Sequence, residues 1–246
     1  MTQPSPRPEP SPAAQRQQRL RGLAGGIVVS CQARPGNPLH GPGPMALVAQ
    51  AAELGGAIGL RVNGPDDIAA VRRATSLPIV GIWKQEHDGS AVTITPTVAA
   101  VQGVIAAGAE FVALDGTARP RPGGETLAQV VKEIHRLGGV ALADLATAAD
   151  LRHAVLADVD AVGTTLAGYT AESPTTGDAP DLDFLRWLVK HSPLPVFAEG
   201  RYWTPEQAVE GFAIGAAFVV IGTAITNPMA ITARFVAAAA SAAPPT

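Results

Sequence analysis

The 246-residue sequence is poor in aromatic residues, cysteine and charge, and each shortage narrows what the protein can be. Aromatic residues make up only 4%, so the core must come from aliphatic residues within the 47% hydrophobic fraction, as in layered α/β folds. The net charge of -3 gives little support for a basic nucleic-acid-binding face. No uninterrupted apolar run approaches the ~20 residues of a membrane span. We therefore expect neither a nucleic-acid partner nor a membrane partner.

The number and spacing of the cysteine and histidine residues argue against an internal disulfide, two-thiol catalysis and a metal site. The single cysteine, Cys31, cannot form an internal disulfide and excludes a racemase that uses two thiols; we expect an inert core residue. The five histidines lack metal-ligand spacing, so no metal site is predicted. The N-terminal stretch lacks the apolar segment of a signal peptide. Together with the single thiol, this predicts a cytoplasmic location.

The two ends of the sequence differ in composition from the middle. Five prolines lie among the first twelve residues, which are followed by QRQQR, so residues 1–22 are predicted to be a disordered tail. Residues 242–246 are predicted to be a shorter tail. The stretch between them, 23–241, is long enough for a single catalytic domain.

Short apolar runs alternate with amphipathic stretches eight times along this domain. The predicted strands are Gly26–Gln32, Ala57–Val62, Ile79–Lys84, Phe111–Asp115, Val140–Asp144, Ala161–Thr165, Val196–Glu199 and Phe218–Gly222. Consecutive apolar positions are typical of strands covered on both faces. Eight βα units predict a (β/α)8 TIM barrel. The rival, a doubly wound open sheet, would need fewer strands or a glycine fingerprint after the first strand, where the sequence reads SCQARPG instead.

Seven of the eight predicted strands end at or beside polar residues. These are Gln32, Arg61, Lys84, Asp115, Asp144, Thr164–Thr165 and Glu199. In a barrel such ends converge on one face, where active sites lie. One polar residue there marks only the transition from strand to loop. Two basic and three acidic groups together indicate a pocket in which charges compensate one another.

Lys84 and two glycine turns are the sharpest candidates for chemistry. Lys84 follows the apolar run IVGIW, so partial desolvation should lower its pKa. It could be a proton-transfer base, a Schiff-base nucleophile or a counter-ion to a carboxylate, and the residues alone leave these open.

The motifs AEGR and IGTA place Gly200 and Gly222 just beyond the last two strands, where barrels bind phosphate. The Arg119–Pro122 run either forms a basic rigid turn or closes over an anionic substrate.

From about Gly25 to Val236 the sequence resembles the N-acetylmannosamine-6-phosphate 2-epimerases of amino-sugar (sialic acid) catabolism. The resemblance rests on IVVSCQARPGNPLH, GLRVNGPDDIAAVR, LPIVGIWK, ALDGTARPRPGGETL, LADLAT, VGTTLAGYT, AEGRYWTPEQA and IGTAIT, in this order. It implies a TIM barrel that interconverts N-acetylmannosamine 6-phosphate and N-acetylglucosamine 6-phosphate without a redox cofactor.

The resemblance also implies roles for individual residues. Lys84 matches the catalytic lysine of the family and Glu199 its catalytic carboxylate. Asp144, Arg61 and Gln32 match positions that hold the substrate or orient the lysine. The phosphate cradle matches the backbone around Gly200, Gly222 and Thr223.

Two positions depart from the family's pattern. The family usually reads Lys-Arg after the third strand, whereas Gln85 follows Lys84 here. The usual Ile-Thr-Arg-Pro after the eighth strand reads Ile-Thr-Asn-Pro, so neutral Asn227 replaces an arginine near the substrate. Arg201 or Arg119 is expected to supply the missing charge, and Arg201 is a predicted substrate-binding residue.

The predicted reaction is inversion at C2 of a phosphorylated amino sugar. Ring opening gives a C1 aldehyde that acidifies the C2 hydrogen; Lys84 transfers this proton, positioned by Asp144, with Glu199 as the partner acid/base. Gln32 and Arg61 are expected to stabilise the enolate. Two alternatives stay open: a class I aldolase-type lyase with Lys84 as Schiff base, and a phosphosugar-binding regulatory protein. A homodimer is a further expectation.

Overall fold

Eight parallel strands close into a barrel in the computed structural model, which describes residues 10–174 and 177–242. The barrel strands are β1 Ile27–Cys31, β2 Gly59–Asn63, β3 Ile79–Ile82, β4 Phe111–Asp115, β5 Val140–Asp144, β6 Ala161–Gly163, β9 Val196–Glu199 and β10 Val219–Ile221. A two-stranded hairpin, β7 Tyr169–Thr170 and β8 Ser173–Pro174, follows β6. The predicted TIM barrel is confirmed.

Helices alternate with the barrel strands. They are α1 Pro12–Arg21, α2 Pro42–Leu54, α3 Pro65–Ala74, α4 Val98–Ala106, α5 Leu127–Arg136, α6 Asp150–Leu156, α7 Leu182–His191, α8 Pro205–Ile214, α9 Thr223–Thr226 and α10 Pro228–Ala242. Side-chain caps fix several starts: Thr126 and Thr204 each form a capping box with the glutamine three residues on. None of the described helices is long and apolar enough to cross a membrane.

The ends of the strands set where the polar side chains lie. β4, β5 and β9 have the predicted bounds, whereas β3 and β6 stop two residues short of their predicted ends. Lys84 and Thr165 therefore lie in loops just beyond the ladder. The register pairs Asp115 with Asp144, so neighbouring strands end at the same level of the barrel. The side chains that follow these ends consequently meet on one face.

The N-terminal segment differs from its expected disorder, because residues Pro12–Arg21 form α1. Ser11 caps the helix and Pro12 suits its first turn. Tertiary contacts then hold it: the Arg16 guanidinium pairs with Asp160 at 2.9 Å, and Leu20 is buried. Composition suggested a solvated tail, but the buried leucine, the ion pair and a hydrogen bond from Arg19 to the Gly138 carbonyl counteract part of the ordering entropy. Residues 1–9 and 243–246 of the predicted tails lie outside the described residues.

Two groups of buried side chains form the core. One lies between the strands and the surrounding helices. The other fills the barrel interior, where the Phe197 and Phe218 rings stack with centroids 5.1 Å apart and Leu23 is fully buried. Both groups are aliphatic-rich, as the scarcity of aromatic residues requires. Because the interior is filled, a ligand is expected at the ends of the strands rather than inside the barrel.

Candidate active site at the strand ends

A cavity of about 880 Å³ opens at the carboxyl ends of the barrel strands. Most of the predicted site residues line it: Gln32, Lys84, Glu199, Gly200, Arg201, Gly222 and Thr223. Arg61 and Asp144 do not; their side chains are 2% and 0% exposed and lie beneath its floor. A substrate in this cavity would meet Lys84 and Glu199 directly and would be influenced by the buried pair from below.

Arg61 holds two carboxylates under the cavity. Its Nη2 donates to Asp144 Oδ2 at 2.6 Å, and its Nη1 donates to Asp144 Oδ1 at 3.1 Å and to Glu199 Oε2 at 2.6 Å. Burial alone would lower the pKa of Arg61, but the two carboxylates raise it above its ordinary value. Arg61 therefore stays charged, and its fork geometry fixes both carboxylates relative to β2.

Thr165 belongs to the site, although the sequence marked it only as a polar strand end and predicted no function for it. Its hydroxyl lies 2.6 Å from Asp144 Oδ1 and 3.1 Å from Glu199 Oε2. A threonine hydroxyl has one proton to donate, so the shorter contact to Asp144 takes it. Its neighbour Thr164 exchanges hydrogen bonds with the backbone of Glu199. The loop after β6 thus holds the Glu199 backbone through Thr164 and the Asp144 carboxylate through Thr165.

Lys84 is held from the side opposite this cluster. Its ammonium donates to Gln32 Oε1 at 2.8 Å, and the Gln32 amide in turn donates to Ser30 Oγ at 2.7 Å. Its backbone N–H donates to Asn63 Oδ1, and Lys84 pairs with Ile94 in an isolated antiparallel bridge. These contacts direct the ammonium into the cavity without tying it to a carboxylate.

The expected contact between Asp144 and Lys84 is absent from the described hydrogen bonds and ion pairs. Asp144 binds Arg61 and Thr165 instead. Gln32 is the residue that positions the lysine. Asp144 acts on Lys84 only through its charge, because Arg61 lies between the buried carboxylate and the cavity.

The surroundings of Lys84 and Glu199 shift their pKa values toward one another. Lys84 is exposed as a residue, but its ammonium lies in the cavity; partial desolvation, with the charge of Arg61, lowers its pKa to about 8. Burial, assisted by the negative charge of Asp144, raises the pKa of Glu199 to about 7 despite the attraction of Arg61. Groups that titrate near neutrality can both accept and donate protons, which is what general acid–base catalysis requires.

The loop after β9 has an unusual backbone. Gly200 has φ +111°, and Arg201 follows it with φ +58°, a left-handed conformation that is costly for a non-glycine residue. Arg201 is held there by hydrogen bonds to the Ala167 and Ala179 carbonyls and by stacking over the Tyr169 ring. Such strain, placed directly after Glu199, turns the Gly200 backbone into the cavity wall.

The loop after β10 forms the neighbouring wall. Gly222 precedes the first turn of α9, and a Cβ at this position would lie 3.2 Å from the Cβ of Ser30. The close approach of two backbones therefore favours glycine here. The Ile225 and Thr226 amides bond the Gly222 carbonyl, whereas no described hydrogen bond uses the Thr223 amide, so this donor is available beside the cavity.

The arginines after β4 do not close over the cavity. Arg119 pairs with Asp115 at 2.6 Å and donates to Thr117. Arg121 is buried, and its guanidinium donates to the Thr95 and Pro96 carbonyls. The basic run thus fixes the loop after β4, and Arg119 is already neutralised. This removes one of the two cations expected to replace the charge missing at Asn227.

The remaining sequence-based expectations concern sulfur and metals. Cys31 is fully buried, and burial raises the pKa of its thiol to about 12, so it is the inert core residue expected. Among residues 10–174 and 177–242, no cluster of three or more histidine, cysteine or acidic side chains could hold a metal ion.

Comparison with known proteins identifies the family of this chain. The family model described as “Putative N-acetylmannosamine-6-phosphate epimerase” matches residues 45–241. Two relatives described as “Putative N-acetylmannosamine-6-phosphate 2-epimerase” come from Caldanaerobacter subterraneus and Cutibacterium acnes. They are 44% and 47% identical, over 87% of this chain and 91% and 93% of their own.

Solved structures agree with this comparison. The N-acetylmannosamine-6-phosphate 2-epimerase from Clostridium perfringens superposes with a TM-score of 0.87 at 40% identity, over 89% of this chain and 96% of its own. A thiamine phosphate pyrophosphorylase from Pyrococcus furiosus, with a TM-score of 0.59 and 16% identity over 86% and 91%, shares the fold alone. The sequence-based resemblance is confirmed.

Proposed function

The chain belongs to the N-acetylmannosamine-6-phosphate epimerase family, and we propose that it interconverts N-acetylmannosamine 6-phosphate and N-acetylglucosamine 6-phosphate. The observation that carries the proposal is one lysine and one glutamate with pKa values of about 8 and about 7 on the same cavity. Two such groups can invert a carbon beside a carbonyl, because one removes a proton and the other returns it on the opposite face.

The reaction begins when the sugar ring opens to the C1 aldehyde. One group removes the C2 proton, and the C–H electron pair moves toward C1 to give an enolate whose charge rests on the aldehyde oxygen. The other group then protonates C2 from the opposite face. In this proposal Lys84 and Glu199 are the two proton carriers, because both face the cavity. After each turnover their protonation states are exchanged, and solvent restores them.

The surrounding residues position these carriers. Arg61 and Asp144 are buried and act as positioning residues: the guanidinium orients Glu199, and Asp144 with Thr165 orients the guanidinium and the loop. Gln32 holds Lys84 through its amide oxygen. The Gln32 amide N–H₂, now bonded to Ser30, could turn toward the substrate oxyanion, a type of contact often worth ~3–4 kcal/mol.

Phosphate recognition is proposed for the walls formed by Gly200, Gly222 and Thr223. Backbone amides and a helix start favour an anion there. We expect kcat/KM to fall by roughly 100-fold or more when N-acetylmannosamine 6-phosphate is replaced by N-acetylmannosamine, because charge-assisted hydrogen bonds are lost. NMR assays of both sugars with purified protein measure this ratio. Equal kcat/KM values would contradict a phosphate site.

The pH dependence of kcat/KM should follow the titration of the two proton carriers, Glu199 and Lys84. For activity one group must be protonated and the other not, so kcat/KM should rise as pH passes about 7 and fall as it passes about 8. Below this window both groups are protonated, and above it both are deprotonated. Glu199→Gln should abolish the acidic limb along with most activity. A profile that is flat from pH 6 to 9 in the wild-type protein would argue against this pair.

The two alternative functions gain no support from the proteins compared. The two relatives above are described as putative epimerases, and neither is described as a lyase or a regulator. The phosphorylated amino sugar is the ligand class that the family implies. The cytoplasmic location and the homodimer stay predictions.

A further inference from the structure

Arg34 stands out among the cations of the cavity because the described residues give its side chain no partner. It lies on the loop between β1 and α2 and is exposed at the cavity wall. No described hydrogen bond or ion pair involves its guanidinium. Arg61 is buried under two carboxylates, and Arg201 is bound to two carbonyls and stacked on Tyr169. Arg34 is therefore the arginine still available to an anionic ligand.

The loop that carries Arg34 has a built conformation. Residues 34–37 read Arg-Pro-Gly-Asn, with proline second, glycine third at φ +89°, and a 3.0 Å hydrogen bond from the Asn37 N–H to the Arg34 carbonyl. This is the pattern of a type II turn. His40 Nδ1 contacts the Ala33 carbonyl at 2.9 Å and closes the loop from the other side. The backbone of Arg34 is thus fixed while its side chain is free to move.

A hydrogen bond joins this loop to the position at which the sequence departs from its family. The Asn37 side chain donates to Asn227 Oδ1 at 3.3 Å, and both asparagines line the same cavity as Arg34. The resemblance to the family implies an arginine where this chain has Asn227. Asn227, on one side of this hydrogen bond, is therefore neutral where a cation is expected. Asn37, on the other side, lies three residues after Arg34, whose guanidinium has no described partner.

The charges of the cavity require such a cation. Arg61 and Lys84 balance Asp144 and Glu199 when all four are ionised, so the central cluster has no net charge with which to attract phosphate. Arg119 is neutralised by Asp115. Arg201 adds its charge at the rim, but its guanidinium is already bonded to two carbonyls. Arg34 is the cation there that can also donate hydrogen bonds to a phosphate dianion.

We propose that Arg34 binds the phosphate group of the substrate and replaces the arginine that the family has at position 227. The proposal rests on the proposed function for the identity of the sugar, but binding can be measured without turnover. The charge of Arg34 also helps to lower the pKa of Lys84, one of the two proposed proton carriers. It is a substrate-binding residue, and its removal should change KM far more than kcat.

The test compares Arg34→Ala with Arg73→Ala, an exposed arginine of α3 that does not line the cavity. Loss of a charge-assisted contact should raise KM for N-acetylmannosamine 6-phosphate roughly tenfold or more, with kcat changed by less than about threefold. Arg73→Ala should behave as wild type. Removing the Arg34 charge should also move the alkaline limb of the pH profile to higher pH. An Arg34→Ala KM within twofold of wild type would overturn the proposal.

A second variant tests whether an arginine at position 227 can take over the role of Arg34. Arg34→Ala/Asn227→Arg should regain most of the lost affinity, because it returns a cation to the other side of the Asn37 contact; no recovery would contradict the replacement. Asn227 also caps α10 by accepting from the Ala230 N–H, so circular dichroism must show that the double variant folds.

Calorimetric binding of N-acetylglucosamine 6-phosphate and of N-acetylglucosamine separates this proposal from the proposed function. Arg34→Ala should weaken binding of the phosphorylated sugar only. Equal weakening for both sugars would show that Arg34 does not bind the phosphate group. This result would overturn the proposal even if the wild-type protein epimerises the phosphorylated sugar. A protein that binds the phosphorylated sugar through Arg34 but does not epimerise it would contradict the proposed function alone.

Discussion

Lys84→Ala is expected to lower kcat for epimerisation by about 10²–10⁴-fold, the usual cost of losing a positioned general acid or base. The barrel should stay folded, because the Lys84 side chain is exposed and its only described side-chain contact is to Gln32. The backbone contacts of residue 84, to Asn63 and to Ile94, do not need the lysine side chain. Steady-state kinetics by NMR, with circular dichroism as the check on folding, measures the loss.

Lys132→Ala is the matched control for this variant. Lys132 is an exposed lysine of α5 that does not line the cavity, so its removal should leave kcat and KM unchanged. A Lys84→Ala variant with near-normal turnover would eliminate Lys84 as a proton carrier. Covalent trapping of wild-type protein by borohydride in the presence of substrate would instead support a Schiff base and the lyase alternative.

Arg61→Met is expected to have the largest effect on stability. Asp144 is fully buried and would lose both hydrogen bonds from the guanidinium, leaving a carboxylate with Thr165 as its remaining side-chain partner. Breaking a buried ion pair by removing one partner costs ~3–5 kcal/mol. For a domain of this size that corresponds to a fall in Tm of roughly 6–20 °C. Activity should also be lost, since Glu199 would no longer be oriented.

Two further variants test this explanation by thermal unfolding. Arg72→Met removes an ion pair with Glu110, in which both side chains are partly exposed, and a hydrogen bond to the Thr75 carbonyl, and should cost about 1–2 kcal/mol. Arg61→Met/Asp144→Leu removes both charges and should recover much of the stability without recovering activity. If Arg61→Met were as mild as Arg72→Met, the buried cluster would not be the support for the site proposed here.

The barrel could be predicted from the sequence because its signals are local. Each strand is a short apolar run, and the ends of β4, β5 and β9 coincide with the polar residues that close those runs. Convergence of Lys84, Glu199 and Gln32 on one cavity then follows from the parallel topology alone. The order and direction of the strands were sufficient to place these residues together.

Pairings across the barrel could not be predicted in this way. The sequence gives no sign that Arg61 binds both Asp144 and Glu199 from below, or that Lys84 binds Gln32, because side-chain direction at a strand end depends on register and packing. Thr165 was visible only as one polar strand end among seven. The free side chain of Arg34 becomes informative once the other arginines are seen to be engaged.

The same limit explains the N-terminal segment. Its polar, proline-rich composition favours disorder when judged alone. Leu20 and Arg16, however, find partners that are distant in sequence, in the barrel interior and at Asp160. Composition averages over a window and does not show which individual side chains find distant partners, although a short helix depends on such contacts to be ordered.

The central claim, proton transfer at C2 by groups that exchange with solvent, is tested most directly by running the reaction in D₂O. Purified protein is incubated with N-acetylmannosamine 6-phosphate, and NMR follows the C2 hydrogen of the product. Removal of the proton by one residue and its return by another should place solvent deuterium at C2 of the N-acetylglucosamine 6-phosphate formed. Product that keeps its original hydrogen at C2 would contradict the account, because inversion would then have occurred without exchange between the carriers and solvent.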